Sequence, residues 1–271
     1  MRVITTANRD GFAQYGQRWI DSVGNWPSGT EFFWFTEGYT LPYTPREQQM
    51  IEQVGAGSRD GWIERREVNA IEDFAAWKLR HAGYVPPSWK FNVVGYSHKM
   101  FAFMEATKDY DGVAVWLDAD CVTYREIPPG TIEATVKDAY IAHYGRTGRW
   151  TETGLFVVDC SHPAHADFWA FVREVYLNDH YRVMHHWTDC FVLDAAIKKF
   201  TGTGQIVANN LSGDKEKFGH PMAMTELGRY VDHCKGSERK EAGRSPENKF
   251  RKEYERPGRA RDEKFSKAAT A

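Results

Sequence analysis

Val113-Ala114-Val115-Trp116-Leu117-Asp118-Ala119-Asp120 is a continuous apolar run that ends in two carboxylates. A short apolar run that follows a turn over 109–112 and stops at acidic residues reads as a buried strand. Asp118 and Asp120 then sit at the strand's C-terminal end. In open α/β sheets that edge is where ligands bind, because loops and helix N-termini converge there. Carboxylates at i and i+2 repel one another, and each is pushed toward protonation unless a cation lies between them. Hard cations such as Mg²⁺ and Mn²⁺ accept one or two carboxylates and keep positions open for substrate phosphates. The triplet alone also fits a turn in which one Asp caps a helix and the other is solvated.

Working outward from this run, strands and helices alternate. Residues 2–7 (RVITTA) are β-branched and apolar, and Asn8 to Gly11 turn the chain into a helical pattern of Phe12, Tyr15, Trp19, Ile20 and Val23. Residues 31–36 (EFFWFT) read as a second buried strand, parallel to the first across that helix. Between 45 and 92 the chain is polar, aromatic and broken by Pro86-Pro87, with helices expected over 45–54 and 70–82. A helix over 99–108 is expected with Ser97 as its N-cap. Later strands are expected at 138–143, 154–159 and 205–208, and helices at 164–178 and 188–199. No repeat or linker interrupts this pattern. One α/β domain over 1–236 follows, with a mixed, mostly parallel central sheet flanked by helices, and a charged tail over 237–271 that is helical or disordered.

Composition is compatible with that plan. In 271 residues, 42% are hydrophobic and 14% aromatic, enough for one sizeable core or two modest ones and too much for disorder throughout. No run reaches the roughly 20 apolar residues of a membrane span, and MRVITTANRDGFAQYG carries no apolar leader core. Cys121, Cys160, Cys190 and Cys234 are widely spaced and lie in or beside apolar segments, so reduced thiols in a cytoplasmic protein are expected, without a zinc site. The net charge of −2 is unevenly spread. From Lys235 onward there are 12 Lys and Arg against 7 Asp and Glu, leaving 23 against 30 before it. Such a tail reads as a solvated element, with contact to a polyanion as the sharper reading.

The segment VWLDADCV resembles the strand-plus-DxD signature of GT-A glycosyltransferases, in particular the glycogenin-like and lipopolysaccharide galactosyltransferase-like families. The resemblance implies a single GT-A, Rossmann-like domain that moves a sugar from a nucleotide-sugar, a UDP-sugar by preference, to an acceptor hydroxyl with the help of Mn²⁺ or Mg²⁺. Other segments are similar to the family's in order along the chain. Thr5, Thr6, Ala7 and Asn8, with Tyr15, match the segment that holds the donor nucleoside. Lys99 matches the basic residue near the donor, which Asp118 and Ala119 would also touch. Trp150-Thr151-Glu152-Thr153-Gly154 followed by LFVVD looks like the family's Asn-Ser/Ala-Gly plus strand, with Glu152 where Asn is usual. That places Glu152 among the catalytic residues and Thr153 and Gly154 at the sugar. Trp187-Thr188-Asp189-Cys190 is similar to the Asp-Gln pair, putting Asp189 beside the transferred sugar, with Cys190 in place of Gln. His233-Cys234-Lys235-Gly236 and Arg239 resemble His-x-x-Gly-x-x-Lys. By that likeness His233 is a third metal ligand with Asp118 and Asp120, while Lys235, Gly236, Arg239 and Lys240 meet the diphosphate.

Each residue has a plainer reading. Lys99 fits a helix surface, Glu152 and Asp189 fit turn or helix carboxylates, and a lone His233 fits a hydrogen-bonded surface histidine. His143 and the pair His185-His186 carry no metal spacing, and His186 is taken as acceptor- or sugar-facing. Two rival functions remain open at this point. Asp118-x-Asp120 after an apolar strand also fits a haloacid-dehalogenase-type phosphatase, and 10 Trp fit a non-catalytic carbohydrate-binding protein. The acceptor is unknown: a glycan, a protein, a small molecule or modified DNA. Turn-rich residues over 209–240 are expected to form a lid that closes over the donor.

Overall fold

The computed structural model describes residues 1–42 and 62–255; the helix expected over 45–54 lies outside the described residues. Strand β1 (Arg2–Ala7) leads into a helical rod of α1 (Arg9–Gly11), a π-helical turn (Phe12–Gly16) and α2 (Gln17–Asp21). The Asn8 side chain caps it by accepting from the Gly11 N–H. Strands β2 (Glu31–Thr36) and β3 (Ile63–Glu67) follow, then helices α3 (Glu72–Arg80) and α4 (Val93–Thr107). After β4 (Val113–Leu117) come β5 (Cys121–Thr123), β6 (Ile141–Tyr144) and β7 (Glu152–Asp159). The chain continues through α5 (His165–Leu177), α6 (Asp189–Gly202), β8 (Ala208–Asn210), β9 (Val231–His233), α7 (Ser237–Ala242) and α8 (Lys249–Tyr254).

Seven strands form one mixed sheet in the order β3-β2-β1-β4-β7-β6-β8. Pairing is parallel except where β7 meets β4 and β6, so β7 alone runs against the rest. This is the mixed, mostly parallel α/β sheet that the strand–helix alternation implies. Both of its faces are covered, which explains why the central strands are apolar at every position rather than at alternate ones. Ala114, Trp116, Phe156 and Val158 face a core with Phe74, Trp77, Phe101, Phe103, Phe168 and Leu193. Val115, Leu117, Leu155 and Val157 face a second core with Trp19, Trp34 and Tyr144. A separate antiparallel ribbon pairs β5 with β9.

Several elements differ from expectation. Helix α4 starts at Val93, with Asn92 as the cap accepting from the Gly95 N–H. Ser97 is buried inside it and donates to the Val94 carbonyl, so it caps nothing. Val93 at 0% exposure shows why the first turn is helical despite β-branched residues: packing overrides propensity. Strands β6 and β8 lie about three residues later than expected, and β7 begins at Glu152 rather than 154. The tail supplies α7 and α8, yet Ser245 and Asn248 are buried against the body, so this part is not solvated throughout. Met222, Leu227 and Val231 belong to the second core, which ties residues 222–231 into the body instead of leaving them in a free lid. Among the described residues no helix is long and apolar enough to cross a membrane, and the four cysteines are free thiols.

Candidate active site

The edge where β1, β2, β4 and β6 end is also where the reversed β7 begins. Following the order β1-β4-β7-β6, it presents Asn8, then Asp118 to Asp120, then Thr153 and Gly154, then Arg146, at about 4.8 Å per strand. All of these line one open cavity of about 840 Å³. Thr6, Ala7, Tyr15 and Glu37 line its β1 end, and Asp189, Cys190, Lys235, Gly236 and Lys240 its middle. The π-helical turn places Tyr15, whose ring takes the Lys240 ammonium at 4.6 Å from its centroid.

At the centre, His233 Nε2 lies 3.3 Å from Asp120 Oδ1 and 3.9 Å from Asp118 Oδ2. The ribbon of β5 and β9 makes this possible by pairing Cys121 with His233, directly beside Asp120. Behind the imidazole, His233 Nδ1 is 3.0 Å from Glu152 Oε1, and His220 Nδ1 is 2.9 Å from that same oxygen. The His220 Nε2–H and the Ser245 hydroxyl both donate to the His233 carbonyl. Burial alone would push the His233 imidazole down, but the Asp120 and Glu152 carboxylates outweigh it and raise it to about 9. Burial would likewise raise Asp120, and His233 with Lys240 instead hold it well below the usual carboxylate range. Glu152 follows the same logic through His220 and His233.

Lys99 organises the other half. Its ammonium lies 2.7 Å from Asp118 Oδ1 and 2.7 Å from Asp189 Oδ2, and it donates to the Thr153 carbonyl. The Thr153 hydroxyl donates to Asp189 Oδ2 at 2.6 Å, and the Trp116 indole N–H donates to Asp118 Oδ1 at 2.6 Å. Burial would lower Lys99, yet Asp118 and Asp189 hold it well above the usual range, so it is an ammonium throughout the neutral range. Burial would raise Asp189, and Lys99 and Thr153 keep it ionised.

The structure brings together Asp118, Asp120, His233, Lys99, Asp189, Thr153, Gly154, Thr6, Ala7, Asn8, Tyr15, Ala119, Lys235, Gly236 and Lys240. Four expected residues stand elsewhere. Thr5 is fully buried and off the cavity wall. Glu152 is equally buried and off the cavity wall, and reaches the site through His233 and, at 3.8 Å, the Lys235 ammonium. Arg239 turns away to pair with Glu247 and to donate to the Lys235 carbonyl. His186 packs against Trp150 at a tilt of 45°, with ring centroids 4.3 Å apart, and is not on the wall. Sequence reasoning missed Glu37, although it follows a strand end in the same way as Asp118. It also missed His220, which lies inside the turn-rich stretch 209–240, and gave Tyr96, Trp89, Lys90, Arg146 and Arg149 no place on the wall.

Among the described residues, Asp120, Cys121 and His233 form one group close enough to hold a metal ion, and Glu152, His220 and His233 another. In the second, both histidines already bond Glu152 Oε1, while Glu152 Oε2 is buried without a hydrogen-bond partner. Cys121 is a buried thiol pushed well above its ordinary value by burial and the two Asp carboxylates, and a hard cation has no use for it.

No protein-family model matches the chain. No curated protein matches it either. Solved structures similar to it include glycosyltransferases. GlyE of Streptococcus pneumoniae TIGR4 shares 9% identity over 78% of this chain and 44% of its own, with a TM-score of 0.43. The galactosyltransferase LgtC, solved with donor and acceptor sugar analogs, shares 14% over 71% of this chain and 69% of its own, with a TM-score of 0.42. Mouse xyloside xylosyltransferase 1 shares 8% over 78% and 84%, with a TM-score of 0.46. The chain thus spans less than half the length of GlyE.

Proposed function

We propose that this chain is a metal-dependent glycosyltransferase that moves a hexosyl or pentosyl group from a nucleotide-sugar to an acceptor hydroxyl. The observation that carries the reading is the convergence of Asp118, Asp120 and His233 on one cavity edge, beside the Lys99–Asp189–Thr153 network. Two carboxylate oxygens and one imidazole nitrogen suit Mn²⁺ or Mg²⁺, which when bound neutralises the charge that develops on a departing diphosphate. Lys240, 3.1 Å from Asp120 Oδ2, and Lys235 line the same wall and are the cations within reach of the phosphates. The nucleoside is assigned to the β1 end, where Asn8, Tyr15 and Glu37 offer polar edges and an aromatic ring. Uridine is the base that the sequence resemblance favours. Asp189, kept ionised beside Thr153 and Cys190, is positioned to accept hydroxyl hydrogens of the transferred sugar.

Thermal melting tests the reading. Mn²⁺ and UDP added together should raise the melting temperature more than the sum of either alone, since a ligand at 100 times its Kd stabilises by about 2.7 kcal/mol. Asp118→Asn and Asp120→Asn should abolish that joint shift and the metal-dependent hydrolysis of UDP-sugars in protein that keeps its far-ultraviolet dichroism, although losing the pairs with Lys99, His233 and Lys240 lowers the starting melting temperature. If no nucleoside diphosphate shifts the protein with either metal, the assignment fails.

A further inference from the structure

Charge is balanced at one end of the cavity and unbalanced at the other. Lys99 and Lys240, near the metal carboxylates, pair with Asp118, Asp189 and Asp120. Lys90, Arg146 and Arg149 line the far end, and among the described residues none of them meets a carboxylate. The acids on the cavity wall are Glu37, Asp118, Asp120 and Asp189, all on the β1, β2 and β4 side or beside Lys99. Arg146 is the telling residue. It is half-buried, and its guanidinium is fixed by backbone carbonyls alone: Nε donates to Trp150, Nη1 to Gly219 and Nη2 to Thr151. Those three bonds leave two of the five guanidinium N–H groups for something else. A cation held this way has had its conformational freedom removed in advance and lacks a counter-charge, which is how an anion site is preorganised.

Aromatic rings accompany these cations. Trp89 is 58% exposed and lines the cavity, with the Lys90 ammonium 6.0 Å from its ring. Trp150 lines it too, backed by His186 and by Phe191 at 6.0 Å. An exposed indole on a cavity wall offers a flat apolar face with a polar edge, suited to one face of a sugar ring. Arg146 follows β6, two strands beyond β4, so it lies about 10 Å along the edge from Asp118. A diphosphate on the metal and a sugar over β7 would occupy the intervening space, so the β6 end is where an acceptor must enter.

We propose that this end is the acceptor site and that its ligand is an acidic saccharide, the ring lying on Trp89 and Trp150 and its phosphate or carboxylate on Arg146, with Lys90 and Arg149 at the rim. The assignment rests on the transferase reading for the word acceptor, but not for the binding chemistry.

Tryptophan fluorescence of the full chain, titrated with glucose 6-phosphate, glucuronate, glucose, inorganic phosphate and an oligothymidylate, tests it directly. One of the two acidic sugars should bind at least about tenfold more tightly than glucose and than phosphate alone, and which of them does so identifies the anionic group. Arg146→Gln should bring that preference within about twofold, and Lys90→Gln with Arg149→Gln, both exposed and expected to fold, should reduce it by a few fold. Equal binding of glucose and both acidic sugars, an unchanged preference in all these variants, or phosphate binding as tightly as the sugar acids would overturn the site. Tighter binding of the oligothymidylate would overturn it in favour of a nucleic acid. The joint Mn²⁺ and UDP melting shift should persist in every variant; its absence from the parent protein overturns the transferase reading and not this site.

Discussion

At the residue scale, Glu152 serves two histidines with a single oxygen. Fully buried, it accepts from His220 and fixes the far nitrogen of His233, which aims Nε2 at Asp120. A carboxylate behind a ligating histidine sets its tautomer and orientation, and losing it typically costs 10–100-fold in metal affinity. Glu152→Gln should therefore weaken Mn²⁺ binding by about that factor in a direct titration; parental affinity would leave Glu152 a purely structural residue. Glu37 gives a pH signature away from the metal. Burial pushes its carboxyl up to about 7, against the opposing pull of the Thr6 hydroxyl and the Lys78 ammonium. His98 Nδ1 is 3.6 Å away but gives no ion pair at neutral pH, because burial and Lys78 hold that imidazole down at about 4. Between about pH 4.5 and 7 the folded protein keeps a proton that the unfolded chain has released, so stability falls as pH rises across that window. The loss is about 1.4 kcal/mol per unit, roughly 3 kcal/mol in all. Urea unfolding of Glu37→Gln at pH 5 and 7.5 should lack this component, and a variant with the parental slope would show that Glu37 does not titrate there. The convergence of Asp118, Asp120, Lys99, Asp189 and His233 on one cavity was legible because each stands in a short local motif. Glu152 was misplaced because a motif cannot show that its side chain points behind β9 rather than into the cavity.

At the scale of elements, the legible strands were those buried on both faces. β1, β2 and β4 were read at their observed bounds because continuous apolar runs have one structural use in a sheet covered on both sides. β3 was invisible: as an edge strand it buries Ile63 and leaves Glu64, Arg65, Arg66 and Glu67 partly or wholly accessible, as edges commonly do. β5 and β9 are three residues each, too short for any periodicity, yet their pairing carries His233 to the carboxylates. The fit between β9 and β7 leaves no room at Gly154. A Cβ there would lie 2.3 Å from two atoms of the His233 ring, and the Gly154 carbonyl also accepts from the Asp118 N–H. Gly154→Ala should lower stability by about 1–3 kcal/mol through overpacking and displace His233, so that Mn²⁺ binding is lost while the far-ultraviolet dichroism of the sheet is kept. Undiminished Mn²⁺ affinity in a folded variant would mean that the imidazole is not held by this contact.

At the scale of the whole molecule, the cavity is completed by residues that the charge pattern assigns to solvent. Clustered Lys and Arg after residue 234 do describe α7 and α8, whose residues are largely exposed, but the segment between them is drawn inward. Ser245 is 1% exposed, donates its backbone N–H to Asp232 Oδ2 and its hydroxyl to the His233 carbonyl, and Asn248 donates to the Gly228 carbonyl. Arg251 then pairs with the fully buried Asp232 at 3.0 Å, one residue before His233. Polar side chains that are buried because they have partners leave no hydrophobic signature, so the docking was not legible from composition. Removing Arg251 leaves Asp232 as a buried charge short of its partner, and breaking a buried pair from one side costs about 3–5 kcal/mol. Arg251→Ala should approach that loss in urea unfolding, whereas Lys252→Ala, on the exposed side of the same helix, should stay within about 0.5 kcal/mol. Truncation after residue 236 should cost at least as much and also weaken Mn²⁺ binding, because it removes the Ser245 hydrogen bond to His233 and the Lys240 contact with Asp120. A truncated protein with parental stability and metal affinity would show that this segment merely rests on the body and that the site is complete without it.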